Sequence, residues 1–138
     1  MKVLIVDDDM ANRVVMQAFL RDKASHINMA ANGEEAVQAF TMALDEQNPY
    51  TLIIMDFMMP GKDGHEALKA IRKLEKDRGV AAPGDEVKVI MVSCLDDQKN
   101  VCRAFFHGMA TCYLTKPLSK EGLDKALAVF CSENFLRP

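Results

Sequence analysis

No stretch of the chain runs apolar for the roughly 18 residues that a membrane-crossing helix needs. The first apolar run, Val3-Leu4-Ile5-Val6, meets the acidic triplet Asp7-Asp8-Asp9 at once, which leaves no apolar core for a signal peptide. No membrane association is expected, and the expected location is the cytoplasm. The four cysteines, Cys94, Cys102, Cys112 and Cys131, include no C-x-x-C pair, and His26, His65 and His107 are scattered. A zinc site or a disulfide framework is therefore not expected, and the thiols read as small apolar core residues. Basic charge is not in excess. The formal net charge is -3, so no direct nucleic-acid partner is expected. Neither G-x-G-x-x-G nor G-x-x-x-x-G-K-[ST] occurs, which argues against a nucleotide-binding protein. Internal repeats and low-complexity segments are missing as well.

What is present is a regular alternation. A chain of 138 residues suits one domain, here residues 1–138, and its 49% of hydrophobic residues can fill a substantial core. The ten methionines are expected to fill gaps in that core. Short apolar runs alternate with stretches of helical period, the pattern of successive βα units around a parallel sheet. Strands are expected over Lys2–Val6, His26–Ala30, Thr51–Met55, Val87–Ser93 and Thr111–Thr115. Helices are expected over Met10–Lys23, Glu34–Glu46, His65–Lys76, Asp97–Gly108 and Lys120–Glu133. The first helix should turn Ala11, Val14, Val15, Ala18 and Phe19 inward, and the second Ala36, Val37, Phe40, Ala43 and Leu44. The last should bury Leu123, Ala126, Leu127 and Phe130, with Ser119 as its N-cap. The third strand is apolar on both parities, the mark of a central strand covered on both faces. The breaker-rich segment Asp77 to Glu86 reads as an exposed loop.

Right-handed crossovers and short loops leave few arrangements for five such units. The expected fold is α/β and flavodoxin-like, a (βα)5 doubly wound sheet of five parallel strands in order 2-1-3-4-5 with helices on both faces. Ligands of such sheets bind beyond the carboxyl ends of the strands. Three of the strands end there in charge, at Asp7-Asp8-Asp9, at Asp56 and at Lys116-Pro117. Carboxylates crowded together repel one another unless a divalent cation or an ammonium group neutralises them. Mg2+ prefers six oxygens and keeps several waters, so Asp8, Asp56 and the backbone carbonyl of Met58 are candidate ligands, with Asp7 acting through water. Asp56, alone at the end of the central strand, is the candidate nucleophile toward phosphorus. Lys116 offers a compact charge for phosphoryl oxygens, and Ser93 a hydroxyl. If the Lys116–Pro117 peptide is cis, it aims the lysine through an uncommon backbone state. Asp9 reads as the cap of the first helix, and Asp7 and Asp8 taken alone fit capping equally well. The four groups in order on the right strands are what point to phosphoryl chemistry.

The motifs Ile5-Val6-Asp7-Asp8, Asp56-Phe57-Met58-Met59-Pro60-Gly61-Lys62-Asp63-Gly64, Val92-Ser93 and Lys116-Pro117 together resemble the receiver domain of bacterial response regulators, over nearly the whole chain. The resemblance implies that Asp56 accepts a phosphoryl group from a histidine kinase or a histidine phosphotransfer protein, with Mg2+ held by Asp8, Asp56 and the Met58 carbonyl. It also implies that Lys116 pairs with the phosphoryl group and that Ser93 swings toward it. Tyr113 matches the family's switch aromatic, although its position also suits a strand tyrosine with a packed ring and a surface hydroxyl. The output surface would be the face of the fourth helix, fifth strand and fifth helix, and the protein would store a signal rather than turn over as an enzyme. The chain begins at strand one and ends about where the fifth helix should, so a stand-alone receiver that acts by binding a downstream protein is expected.

The pattern departs from the family at Cys94, where a small Ala or Gly commonly follows the switch hydroxyl, and a thiol there narrows the approach to Asp56. Met58 and Leu95 flank the acceptor and are expected to hinder the attacking water and lengthen the phosphoryl lifetime. Two other readings compete. One is a receiver that has lost phosphorylation and serves as an interaction module. The other is a haloacid-dehalogenase-type phosphatase, which expects Asp-x-Asp-Gly-Thr after strand one, whereas Asp7-Asp8-Asp9-Met10-Ala11 lacks the Gly and the Thr.

Overall fold

The computed structural model describes residues 1–57, 59, 64–80, 85–94 and 110–136, with backbone alone for Cys94 and for residues 129–136. Its strands are β1 (Lys2–Val6), β2 (His26–Ala30), β3 (Leu52–Asp56), β4 (Lys88–Cys94) and β5 (Cys112–Lys116). The helices among the described residues are α1 (Met10–Leu20), α2 (Gly33–Asp45), α3 (Gly64–Asp77) and α4 (Lys120–Leu136), the last being the expected fifth helix. The helix expected over Asp97–Gly108 lies outside the described residues, as do Met58, Leu95, Cys102 and the Pro60–Asp63 turn.

All strand pairs are parallel and the order is β2-β1-β3-β4-β5, as the alternation of elements requires. Both faces are covered, and strand parity decides which side chain goes where. Leu4, Val6, Ile53, Met55, Val89 and Met91 join Phe40 of α2 and Leu68 of α3 in one buried cluster. Val3, Ile5, Leu52, Ile54, Ile90 and Val92 join Leu20 of α1 and Leu123 of α4 in the other. At about 25 cal/mol per Å2 of apolar surface removed from water, these two clusters supply most of the drive to fold. Cys112, half-buried on the α1/α4 side, has its thiol pushed up by burial, in keeping with an apolar rather than a reactive cysteine.

Local chemistry sets the element ends. Asn32 caps α2, accepting from Glu35 N at 2.9 Å, while Glu35 reaches back to Ala31 N at 3.2 Å. Ser119 accepts from Gly122 N at 3.0 Å at the start of α4. The helix α1 stops at Leu20 rather than Lys23, because Lys23 N bonds the Leu20 carbonyl (2.9 Å) in a tightened last turn. Strands β3 and β5 each extend one residue past the expected end, so Asp56 and Lys116 are still strand residues. The pairings Asp56 with Val92 and Cys94 with Lys116 account for this, since the ladder continues through them.

The inner face of α1 differs from expectation. Met16 and Leu20 are buried and Phe19 is partly so, whereas Ala11, Val14, Val15 and Ala18 are exposed. The helix carries apolar residues on two sides, so periodicity alone did not choose between them.

A polar clamp joins α3 to the start of β4. Glu75, only 1% exposed, accepts from Val87 N and from Arg72 Nη1, both at 2.7 Å, and the same Nη1 donates to the Val87 carbonyl at 3.0 Å. Both backbone groups of Val87 are thereby satisfied by side chains. On the other face Lys23 donates to Asp124 of α4 at 2.6 Å and holds that carboxyl below its usual range.

Gly64 opens α3 against the end of β3. A Cβ there would lie 2.6 Å from the Asp56 carbonyl oxygen and 2.8 Å from Met91 Cε. Gly64→Ala is therefore expected to cost about 1 to 3 kcal/mol in urea unfolding, as overpacking does. A variant as stable as the parent would contradict the fit described. Burial pushes the Glu75 carboxyl up from its ordinary 4.5, against the opposing hydrogen bonds from Arg72 and Val87. A carboxyl whose pKa is raised by folding favours the folded state in acid, and that favour is lost as pH rises through the folded value. Urea midpoints of the parent minus those of Glu75→Gln should therefore decline as pH rises above the ordinary carboxyl value of 4.5. A flat difference would show that folding leaves this carboxyl unshifted.

Candidate functional site

Asp7, Asp56 and Lys116 arrive together because parity carries them there. Asp7 continues the series Val3, Ile5; Asp56 continues Leu52, Ile54; Lys116 continues Cys112, Leu114, all on the α1/α4 side of the sheet. Strand β1 pairs with β3, which places the first two acids side by side. Asp7 is fully buried and Asp56 only 4% exposed, while Asp8 is exposed to solvent. One oxygen from each of Asp7, Asp8 and Asp56 falls within a group spanning no more than 4.8 Å. The Lys116 ammonium lies 3.0 Å from Asp56 Oδ2 and 3.7 Å from Asp7 Oδ2, and the Lys116–Pro117 peptide is cis.

The turn after β1 is built from its own acids. Asp7 N donates to the Ala30 carbonyl (3.1 Å), Asp7 Oδ1 accepts from Asp9 N (2.9 Å), and Asp9 Oδ1 accepts from Ala11 N (2.9 Å). Asp9 is thus the N-cap of α1, as expected, and takes no part in the acidic group. After β3, Phe57 N donates to the Val92 carbonyl (2.9 Å) and Gly64 N to the Phe57 carbonyl (3.0 Å), which folds the chain tightly beneath Asp56.

The donor set fits a hard divalent cation. Three carboxylates against one ammonium leave two negative charges. Asp7 Oδ2 is buried with no hydrogen-bond partner among the described residues, an orphan acceptor that a cation or its water would satisfy. Asp8 and Asp56 would hold the ion, with Asp7 behind them. The Met58 carbonyl lies outside the described residues.

Ser93 and Tyr113 lie on the other parity. Ser93, buried, follows Val92 and so continues the series of Val89 and Met91, while Tyr113 pairs with Met91 in register and packs against the α2/α3-side cluster.

Reasoning from sequence missed the surroundings of the acids. A cleft of about 460 Å3 opens beside them, lined by Asp7, Val15, Met16, Val92, Lys116 and Leu118 among others. The outer face of α1, which contributes Val15 to this cleft, exposes Met10 (65%), Val14 (54%) and Val15 (45%). The double apolar stripe of α1 was the available signal. Arg13 was also missed: its Nη1 donates to the Asp7 carbonyl at 2.6 Å.

Residues 3–128 match the family model of the response regulator receiver domain. A two-component response regulator of rice, ORR41 from Oryza sativa subsp. japonica, is 39% identical over 131 residues, which span 94% of this chain and 93% of that protein. The chain also matches sensor kinases, of whose length it spans 13% or 14%. Among solved structures, a mutant receiver domain of the histidine kinase CKI1 from Arabidopsis thaliana superposes with TM-score 0.79 at 30% identity, covering 95% of this chain and 89% of that one. The Saccharomyces cerevisiae receiver domain of Ssk1, crystallised with the histidine phosphotransfer protein Ypd1, gives 0.73 at 31% identity, covering 91% and 84%. No helix among the described residues is long and apolar enough to cross a membrane. Sequence, strand order and the charged sheet edge agree, and the chain belongs to the response regulator receiver domains of two-component and phosphorelay systems.

Proposed function

We propose that the domain takes a phosphoryl group from a phosphohistidine onto Asp56 and holds it as a signal. The observation that carries this reading is the Lys116 ammonium 3.0 Å from Asp56 Oδ2, within an acidic group that also contains Asp7 and Asp8. An Asp56 carboxylate oxygen attacks phosphorus, the P–N bond breaks, and its electron pair stays on the imidazole nitrogen, which then takes up a proton. Lys116 holds position beside the acceptor and neutralises charge on the phosphoryl oxygens as they become equatorial. Mg2+, carried by Asp8 and Asp56, would supply further neutralisation and orient the phosphoryl group. Water later attacks phosphorus, releases phosphate and regenerates Asp56, so the domain is consumed and reset rather than turning over as an enzyme.

The donor docks on apolar ground. Met10, Val14 and Val15 are exposed on α1, and Val15 also lines the cleft together with Asp7 and Lys116. Exposed apolar surface of this kind marks an interaction site, and here it adjoins the acceptor. The signal leaves on the other side. Movement of Ser93 toward the phosphoryl group empties space next to Tyr113, which shares its face of the sheet, and the β5/α4 surface would present the change to a downstream protein.

Incubation with Mg2+ and acetyl phosphate should add one phosphoryl group to the intact mass, absent in Asp56→Asn and after chelation. Rapid repeated hydrolysis of phosphomonoesters, or no mass gain, would sink the reading. Val15→Asp should slow transfer from a phosphohistidine protein by about tenfold, a docking loss of about 1.4 kcal/mol, while acetyl phosphate labelling stays within about twofold. Equal slowing with both donors would remove α1 from the docking surface.

A further inference from the structure

We propose that Arg13 is a positioning residue for the divalent-cation site, acting through the peptide that joins Asp7 to Asp8. The inference rests on the cation reading of the acidic group. The pairing of β1 with its neighbours ends at Val6, so the Asp7 carbonyl leaves the strand ladder. Arg13, half-buried on the second turn of α1, takes that carbonyl through Nη1 at 2.6 Å. The same peptide group carries the backbone N of Asp8, so the bond fixes the plane from which Asp8 projects.

The other ties in the turn leave the Asp7–Asp8 peptide to Arg13 and hold the peptide that follows Asp8 or the residues beyond it. Asp9 N holds the Asp7 carboxylate, Ala11 N holds the Asp9 carboxylate, and Arg13 N holds the Asp9 carbonyl at 3.1 Å. The Asp8 side chain is exposed and makes no hydrogen bond among the described residues. Its direction therefore depends on the backbone on either side of it. A guanidinium in an acidic turn has carboxylates as its usual partners. Among the described residues it pairs with none, and Lys116 is the counter-ion. Arg13 thus leaves the acids available to a cation while ordering the peptide between two of them.

The sign of the effect separates positioning from simple charge. A positive charge near a cation site opposes binding, so if charge were all, its removal would tighten Mg2+. Loss of a group that orients a metal ligand instead weakens binding, commonly by about 10- to 100-fold. Arg13→Met keeps the apolar stem and removes the donor, and Arg13→Lys keeps a donor and the charge. Calorimetric titration of Mg2+ should give about tenfold weaker binding for Arg13→Met and recovery to within about threefold of the parent for Arg13→Lys, with thermal midpoints alike. Asp56 labelling by acetyl phosphate should be slowed in Arg13→Met at low Mg2+ and restored at saturating Mg2+. Equal or tighter binding in Arg13→Met, or no recovery in Arg13→Lys, overturns the inference while parent binding leaves the cation reading standing. A parent that binds no Mg2+ overturns both.

Discussion

Like charges meet at this sheet edge because parallel strands of equal parity end together, and everything else at the site follows from managing that crowding. Asp7 and Asp56 are brought side by side by the β1–β3 pairing, in a setting where water can shield neither of them. Lys116 arrives on β5 with the same parity and relieves part of the repulsion at 3.0 Å. What remains is an excess of negative charge with a buried orphan oxygen on Asp7. A site left in that condition could hold a cation, and under the proposed function the anionic group that the cation would bring. The strand order itself creates this electrostatic problem, which a bound cation would relieve.

The architecture was legible because each apolar run and each helical stripe carries its own period. Strand β3 reads as central from apolar residues on both parities, and α2 reads correctly from Ala36, Phe40 and Ala43. The acids and the lysine were legible because each ends a strand, where a charge has no place in the core. Asp9 could be set aside for the same reason, as a short acceptor just ahead of a helix, and it does cap α1.

What was not legible depends on contacts between segments far apart. Apolar residues on two sides of α1 gave its period two solutions, and only packing against β1 and α4 selects Met16 and Leu20 over Val14 and Val15. The residues turned outward by that choice form the apolar ground beside the acids. In the same way Glu75 looks like one more charge on an exposed helix until Val87 is seen to depend on it for its backbone N–H. Arg13 gives no hint in sequence that its partner is a main-chain oxygen rather than a carboxylate.

The close fit of Gly64 beneath Asp56 bears on how a phosphoryl group could be felt elsewhere. The acceptor's carbonyl, Phe57 Cα and Met91 Cε already fill the space that even one methyl group would occupy. The main chain under Asp56 has no slack, so if a phosphoryl group is added there as proposed, β3 could not sink away beneath it. That chain would act as an anvil. Displacement would pass sideways instead, along the ladder to Val92 and from there to β5, the direction in which Ser93 and Tyr113 lie.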